Sequence, residues 1–153
     1  MTMQDDVFDR VRQLRLPQDE YAIFGSGPLV VRKIITFGND LDIICRGPAW
    51  DAVCLAGRQE YLEDYDTTIV SMADGAITFG TSWGIGDFDL DELIDDAEII
   101  DGLPFVRLRH VIEYKRVRSA AKDLLHLDAI RAAGLLDEAC GNTVKSQHCR
   151  VGD

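Results

Sequence analysis

Two aspartates separated by a single residue, Asp40 and Asp42, have the chemistry and spacing needed to hold a metal ion. Their segment, DLDII, alternates polar and apolar residues and predicts a β-strand. Residues two apart in a strand share a face, so both carboxylates should point one way while Leu41 and Ile43 enter a core. Neighbouring carboxylates raise each other's pKa unless a cation lies between them, and Mg²⁺ is commonly held by one or two carboxylates plus substrate phosphates. We therefore predict Asp40 and Asp42 as ligands of Mg²⁺, the alternative being a solvated strand edge.

A glycine-rich turn, Gly25-Ser26-Gly27, lies upstream of the aspartates, with the thirteen residues 27–39 between Ser26 and Asp40. The apolar run 21–24 predicts a strand before the turn, and the spacing of apolar residues after it predicts a helix. Backbone N–H groups at a helix start, together with a serine hydroxyl, suit a phosphate group. The turn is therefore a candidate phosphate site, although its glycines also suit positive φ and its serine also suits a helix cap.

Basic residues are concentrated in segment 107–122, which holds six Lys and Arg and one acid, Glu113. Runs of basic residues usually form a solvated face. In a chain with a net charge of −11, this run predicts a local positive patch suited to a triphosphate. Lys115 is the leading candidate for a phosphate contact, and Lys122 and Arg118 rank below it.

The residues Phe24-Gly25-Ser26 and Asp40-Leu41-Asp42-Ile43 resemble the signature of the nucleotidyltransferase superfamily related to DNA polymerase beta. That resemblance implies transfer of a nucleoside monophosphate from an NTP, such as ATP, to a hydroxyl of a protein, RNA or small molecule. It also implies that Asp40 and Asp42 are catalytic and that Gly25 and Ser26 bind the nucleotide phosphates.

A second stretch, residues 108–130, resembles the helical C-terminal part of small nucleotidyltransferase-like proteins of the abortive-infection (AbiEii) type, on Lys115, Arg118 and Lys122-Asp123. This resemblance implies that Lys115 and Lys122 bind nucleotide. It leaves Asp123 to orient a lysine or to stabilise the fold. A protein of this type would bind a protein partner, as in a toxin–antitoxin pair.

The sequence departs from the catalytic pattern at the third carboxylate, which the family carries on a later strand. The corresponding strand, 76–80, places Thr78 at the facing position and has no acid. Asp74, Asp87 and Asp89 are the nearest candidates along the chain. Two interpretations therefore stay open: a minimal nucleotidyltransferase, or a catalytically degenerate member that binds a nucleotide or a partner.

Composition limits the class of protein. The 153 residues, 46% hydrophobic and 28% charged, predict one domain over 1–140 and a flexible tail over 141–153. The acidic balance argues against broad nucleic-acid binding, which needs Lys and Arg to displace counterions. We expect no membrane span and no signal peptide, because no apolar run is long enough and the N-terminus lacks a basic region. Four cysteines without CxxC spacing argue against zinc, and we expect a cytoplasmic protein.

The predicted fold is α/β (α+β), a small mixed sheet with helices packed on it and a helical C-terminal segment. Asp74-Gly75 predicts a two-residue hairpin turn between strands 66–72 and 76–83, and 87–101 predicts an acidic loop with a short helix. The remaining predicted strands are 59–70 and 104–108, and the helices are 4–14, 48–56, 109–118 and 120–133. The core face of the last two helices is predicted to contain Val111, Ile112, Val117, Leu124, Leu127 and Ile130.

Overall fold

The computed structural model describes residues 3–38, 40–81 and 88–136, with side chains from residue 6 onward. The described helices are α1 (Met3–Gln13), α2 (Gly27–Val31), α3 (Gly47–Ala56), α4 (Leu90–Asp95), α5 (Leu108–Arg118) and α6 (Ala121–Ala132). The described strands are β1 (Tyr21–Phe24), β2 (Leu41–Cys45), β3 (Arg58–Leu62), β4 (Thr67–Met72), β5 (Ile77–Gly80), β6 (Glu98–Ile100) and β7 (Leu103–Phe105). The predicted tail 141–153 lies outside the described residues. Across the described ranges, no helix has both the length and the apolar character needed to cross a bilayer.

All seven strands form one mixed sheet in the order β3-β4-β5-β2-β1-β7-β6. The pairs β2–β5 and β1–β7 are parallel and the other neighbours are antiparallel. The central strands β1 and β2 are buried on both faces, which explains their nearly continuous apolar sequences. The predicted mixed sheet with packed helices is confirmed.

Alternation along β2 separates two hydrophobic layers. Leu41 and Ile43 join a core formed with α1 and α3, whereas Ile44 packs on the opposite face against α4 and α5. Asp42 is even-numbered like Ile44, so its side chain belongs to the face covered by α4 and α5. The predicted separation of the acid from Leu41 and Ile43 is confirmed.

The predicted strand 59–70 is wrong as a single element. It is two antiparallel strands, β3 and β4, joined by a 3₁₀ turn at Glu63–Tyr65. Asp66 follows the turn in the left-handed region, with φ +49°, and this conformation reverses the chain.

The hairpin between β4 and β5 is confirmed, but its connection is longer than the predicted two residues. Met72 pairs with Ile77, so the connection spans residues 73–76. Ala73, Asp74 and Gly75 all have positive φ in this turn. The last residues of the predicted strand 76–83 lie outside the described residues.

The acidic segment contains the predicted short helix, α4, with Leu93 and Ile94 buried. It also contains β6, which was not predicted. β6 pairs with β7 through a two-residue turn at Asp101-Gly102, and Ile100 lies opposite Leu103. The predicted strand 104–108 is therefore displaced, because the helix α5 already begins at Leu108.

The break between α5 and α6 near Ser119 is confirmed, and Ser119 has φ +51°. The predicted core face is wrong at Val117, which is 54% exposed, and at Leu124, which is 51% exposed. The buried stripe of α6 runs through Asp123, Leu127 and Ile130, at the i, i+4 and i+7 spacing of one helical face. Asp123 therefore occupies the buried position that the apolar pattern had assigned to Leu124.

Candidate functional site

One open pocket brings together the seven residues that the sequence identified as metal-binding or phosphate-binding candidates. We call it the Asp42 pocket. Its described walls are Phe24, Gly25, Ser26, Asp40, Asp42, Tyr65, Tyr114, Lys115, Arg118 and Lys122. These residues come from the β1–α2 turn, the start of β2, the β3–β4 connection, α5 and the start of α6.

The β1–α2 turn approaches the carboxylate of Asp42 closely. Gly25 has φ +66°, and a Cβ atom there would lie 3.2 Å from Oδ2 of Asp42. Gly27 allows a second close approach, since a Cβ at that position would lie 2.3 Å from Cγ2 of Ile23. The glycines therefore place the turn directly on β1 and beside the acid, where a larger residue would fill the space.

Ser26 precedes α2, and its carbonyl oxygen accepts hydrogen bonds from the N–H groups of Leu29 and Val30, both at 2.9 Å. Its side chain makes no capping hydrogen bond to the helix. The alternative that Ser26 serves as a side-chain cap is therefore not supported, and Ser26 is one of the residues that line the pocket.

Asp42 lies in the middle of the sheet, opposite Phe24 on β1 and Thr78 on β5. Burial raises the pKa of Asp42 to about 6, and repulsion from Asp40 adds to the increase. The positive charges of Lys122, Arg118 and Lys115 partly oppose that increase. The two carboxylates therefore influence each other across one pocket, and the ionised form of Asp42 is poorly stabilised by the protein alone.

The basic side of the pocket is held by a buried aspartate. Asp123 is completely buried and accepts two hydrogen bonds of 2.7 Å from Arg118, one from Nε and one from Nη2. Nζ of Lys115, which is 1% exposed, lies 3.5 Å from Oδ1 of Asp123. The N–H of Ala120 donates a further hydrogen bond of 3.1 Å to Asp123 at the start of α6.

Burial alone would raise the pKa of Asp123, but the hydrogen bonds from Arg118 and Ala120 and the nearby positive charges lower it to about 2. Burial lowers the pKa of Lys115, and the charge of Asp123 opposes that effect. Asp123 therefore stays ionised, and it fixes Arg118 and Lys115 at the pocket wall. This geometry agrees with the expectation that Asp123 orients a lysine.

His126 lies beside the same cluster but is absent from the described walls of the pocket. Its Nδ1 is buried and has no hydrogen-bond partner in the described residues. Burial and the charges of Lys115 and Lys122 lower the pKa of His126 to about 4, so the ring is neutral at physiological pH. This environment is that of a structural rather than a catalytic histidine.

The aromatic walls of the pocket were missed by sequence reasoning. Tyr114 could have been found, because it lies four residues before Arg118 and hence on the same helical face. Its ring packs at 4.6 Å from the ring of Phe24 and at 5.4 Å from that of Phe88. Nothing in the sequence indicated Tyr65, which reaches the pocket from the connection between β3 and β4.

The predicted gap at the third carboxylate has a structural counterpart in Thr78. This residue is the parallel partner of Asp42, so the strand next to the acid carries a hydroxyl there. Asp89 caps α4 by accepting a hydrogen bond of 3.0 Å from the N–H of Asp91, and Asp87 lies outside the described residues. In the part of the chain that the structure describes, no three His, Cys, Asp or Glu side chains are grouped closely enough to hold a metal ion.

The donor set is still compatible with one hard divalent cation. Asp40 and Asp42 both line the pocket and are close enough for Asp40 to raise the pKa of Asp42, which indicates a carboxylate that a cation would stabilise. Mg²⁺ usually keeps several waters and takes one or two protein carboxylates, with substrate phosphates completing its shell. The two acids match the protein carboxylates of such a site, and the three basic side chains are suited to hold the phosphates that complete the metal's shell.

Comparison with solved structures supports the fold. The chain is similar to an H. pylori protein described as a "putative nucleotidyltransferase", with a TM-score of 0.52 and 15% sequence identity. The match covers 100% of this chain and 84% of the H. pylori chain. No protein-family model and no curated protein matches the sequence. The architecture is therefore nucleotidyltransferase-like, as the sequence motifs predicted, and at this identity the similarity concerns the fold alone.

Proposed function

We propose that this protein is a nucleotidyltransferase, which transfers a nucleoside monophosphate from an NTP to a hydroxyl acceptor with the help of Mg²⁺. The observation that carries the proposal is the Asp42 pocket itself. A glycine-serine turn, two carboxylates and three basic side chains from distant parts of the sequence line one cavity. The AbiEii-type relationship and the acceptor, whether protein, RNA or small molecule, belong to the same proposal.

The charges of the pocket suit a triphosphate. Lys115, Arg118 and Lys122 carry three positive charges on adjoining helices, of which Asp123 balances one, and ion pairing with phosphate strengthens in a partly enclosed site. Arg118 is fixed by two hydrogen bonds to Asp123 and by a third, of 3.5 Å, from its Nη1 to the hydroxyl of Tyr114, and the residue lines the pocket. Such a preorganised cation loses little side-chain entropy when it binds phosphate.

The remaining roles follow from position. The backbone at Gly25 and the hydroxyl of Ser26 would bind the phosphates at the β1–α2 turn, and Asp40 and Asp42 would hold Mg²⁺. When bound, Mg²⁺ would supply charge neutralisation and alignment of the reacting oxygens. Lys115 would neutralise negative charge that develops on the departing pyrophosphate.

In the transfer step, an oxygen of the acceptor hydroxyl forms a bond to the α-phosphorus of the NTP. The bond between that phosphorus and the bridging oxygen of pyrophosphate breaks, and the hydroxyl proton is released. The task of the protein residues is to place the triphosphate in line with the acceptor and to stabilise the negative charge on its oxygens.

A second candidate function is nucleotide or partner binding without catalysis, as in a protein of the toxin–antitoxin type. The position of Thr78 favours it, because the strand beside Asp42 carries no acid that could act as a base. Loss of one general base commonly lowers a rate by roughly 10²–10⁴-fold. A slow enzyme and a non-catalytic binder therefore differ in transfer and not in binding.

The two candidates are separated by measuring binding and transfer on the same preparation. Calorimetry with Mg²⁺ and a non-hydrolysable NTP reports binding. Incubation of the purified protein with a cell lysate and each α-³²P-labelled NTP reports transfer. A nucleotidyltransferase labels an acceptor, and its Asp42→Asn variant does not. Binding without labelling supports the second candidate, and failure to bind any NTP excludes the transferase and the nucleotide-binding form of the second candidate.

Introducing the missing acid tests whether Thr78 limits catalysis. Thr78→Asp places a carboxylate next to Asp42, and we expect the labelling rate to rise by about 10²-fold, within the range of one general base. Thr68→Asp is the matched control, because it adds the same charge to β4, away from the described pocket walls. If both variants label at the wild-type rate, the identity of residue 78 does not limit transfer.

A further inference from the structure

The proposed chemistry assigns no role to the described aromatic walls of the Asp42 pocket, and of these Tyr65 is the most exposed. It ends the 3₁₀ turn between β3 and β4, and it is 46% exposed although it lines the pocket. The other two aromatic walls, Phe24 and Tyr114, are almost completely buried. Aromatic surface that remains in water beside a binding pocket gains hydrophobic free energy when a ligand covers it.

The rings of Phe24 and Tyr114 already have partners. Phe24 and Tyr114 pack edge to face, Phe88 packs on Tyr114, and the guanidinium carbon of Arg118 lies 5.3 Å from the centroid of the Tyr114 ring. For Tyr65, by contrast, no aromatic or cation–π partner is found within residues 6–38, 40–81 and 88–136. Of the three aromatic walls within the described residues, Tyr65 is therefore the ring that can accept a flat ligand group.

The turn that carries Tyr65 is held in place locally. The N–H of Asp66 donates a hydrogen bond of 3.2 Å to the carbonyl oxygen of Glu63, which closes the 3₁₀ turn. The hydroxyl of Tyr61 on β3 donates a hydrogen bond of 2.5 Å to Oδ1 of Asp66. A ring on a fixed turn loses less conformational entropy on binding than a ring on a free loop.

Charge separates the surroundings of Tyr65 from the phosphate-binding wall. Its chain neighbours Glu63, Asp64 and Asp66 are all acidic, whereas the basic pocket residues come from α5 and α6. Phosphate oxygens are repelled by the first group and attracted by the second. In a nucleotide, the uncharged base is the part that can lie against Tyr65.

We infer that Tyr65 stacks on the base of the bound nucleotide, an inference that rests on the proposed function and names a recognition residue for it. Every base has a π face, so stacking tolerates all four bases. None of the described pocket walls is an Asn or Gln that could read a base edge. We therefore expect a nucleotide whose base contributes affinity through stacking, an interaction that does not by itself select among the four bases.

The test measures binding of three ligands to the full-length protein with Mg²⁺: non-hydrolysable analogues of ATP and CTP, and inorganic tripolyphosphate. Tyr65→Leu keeps an apolar side chain and removes the ring, and Tyr65→Phe keeps the ring. We expect Tyr65→Leu to weaken both nucleotides on the order of tenfold, in the range measured for loss of one stacked base. Tripolyphosphate should bind equally to all variants, and Tyr65→Phe should behave as wild type.

The outcomes distinguish this inference from the proposed function. If tripolyphosphate and nucleotides bind the wild type but Tyr65→Leu weakens neither nucleotide, stacking is wrong and the phosphate site stands. Stacking is also wrong if Tyr65→Phe loses as much affinity as Tyr65→Leu, or if Tyr65→Leu weakens tripolyphosphate equally. If the wild type binds none of the three ligands, the proposed function is wrong and the inference fails with it.

Discussion

The Asp42 pocket has an acidic half, with Asp40 and Asp42, and a basic half, with Lys115, Arg118 and Lys122. The protein stabilises the charges of the two halves to different extents. On the acidic half, Asp42 extends from a central strand, and burial together with Asp40 raises its pKa to about 6. On the basic half, hydrogen bonds from Arg118 and Ala120 overcome the effect of burial and lower the pKa of Asp123 to about 2. The protein thus leaves the negative half incompletely compensated and neutralises much of the positive half internally.

This difference shows which half depends on a ligand. An ionised Asp42 is costly until a cation approaches, so binding of Mg²⁺ would relieve a cost already present in the fold. Arg118 and Lys115 are positioned by Asp123 whether or not a phosphate is present. Mutations in the basic half should therefore reduce stability, whereas removal of the acid should increase stability and abolish function.

The largest effect is expected for Asp123→Asn. The substitution leaves the buried Lys115 and the part-buried Arg118 without their counter-charge, a change that typically costs about 3–5 kcal/mol. We expect the free energy of unfolding, measured by urea denaturation, to fall by that amount. Asp128→Asn on the same helix is the matched control, because Asp128 is exposed and its one ion pair among the described residues is with Arg131, and it should change stability by less than about 0.5 kcal/mol.

Acid titration sharpens the same prediction. The folded-state pKa of Asp123 is lower than that of an unfolded aspartate, near 4, so its contribution to stability is present above pH 4 and is lost as the pH falls towards 2. The wild type should lose this contribution over that interval, and Asp123→Asn should not. If the wild type and Asp123→Asn lose the same amount of stability between pH 4 and pH 2, Asp123 does not fix the basic half. The same conclusion follows if Asp123→Asn lowers the free energy of unfolding no more than Asp128→Asn does.

An effect of opposite sign is expected for Asp42→Asn. Because the folded-state pKa of Asp42 is about 6 and the unfolded value is near 4, stability decreases as the pH rises from 4 to 6. Above pH 6 the full cost is present, about 1–3 kcal/mol for a shift of this size. Without Mg²⁺ at pH 7.5, Asp42→Asn should therefore have a higher melting temperature than the wild type, while its transfer activity is lost.

Addition of Mg²⁺ should reverse that order of stability. A ligand that binds only the folded state raises its stability in proportion to the logarithm of ligand concentration. The wild type should gain stability on titration with Mg²⁺, whereas Asp42→Asn should not. Asp40→Asn is the companion variant, since Asp40 is exposed, and it should weaken the response to Mg²⁺ with little change in stability. Destabilisation by Asp42→Asn at pH 7.5 would contradict the contrast between the two halves.

The sequence was sufficient for the acidic half because its geometry is local. A strand, a glycine turn and a second strand follow one another within residues 21–45, and alternation along β2 sets which side chains face the pocket. The basic half was also within reach, since Lys115, Arg118 and Lys122 lie on two consecutive helices. The placement of Thr78 beside Asp42 was likewise anticipated and is confirmed by the parallel pairing of β2 and β5.

The sequence was not sufficient where tertiary contacts override the local pattern. The strand β6 contains Glu98 and was hidden in an acidic run, because an edge strand needs few apolar residues. The inward face of α6 was assigned to Leu124, whereas burial of Asp123 becomes favourable only through ion pairs with α5. Tyr65 reaches the pocket only because Asp66 reverses the chain after the 3₁₀ turn, and no periodic signal marks that bend.

The smallest effect is expected at the turn that borders the acidic half, in Gly25→Ala. Alanine at φ +66° costs about 1–2 kcal/mol of backbone strain, and its Cβ would lie 3.2 Å from Oδ2 of Asp42. Gly75→Ala is the matched control, because Gly75 also has positive φ but no atom lies within 4 Å of the added Cβ. Both variants should lower the melting temperature by similar amounts, since both strain the backbone. Only Gly25→Ala should also weaken the stabilisation by Mg²⁺, because only its methyl group displaces the Asp42 carboxylate. An equal Mg²⁺ response in both variants would show that the glycine turn does not affect metal binding by the acid pair.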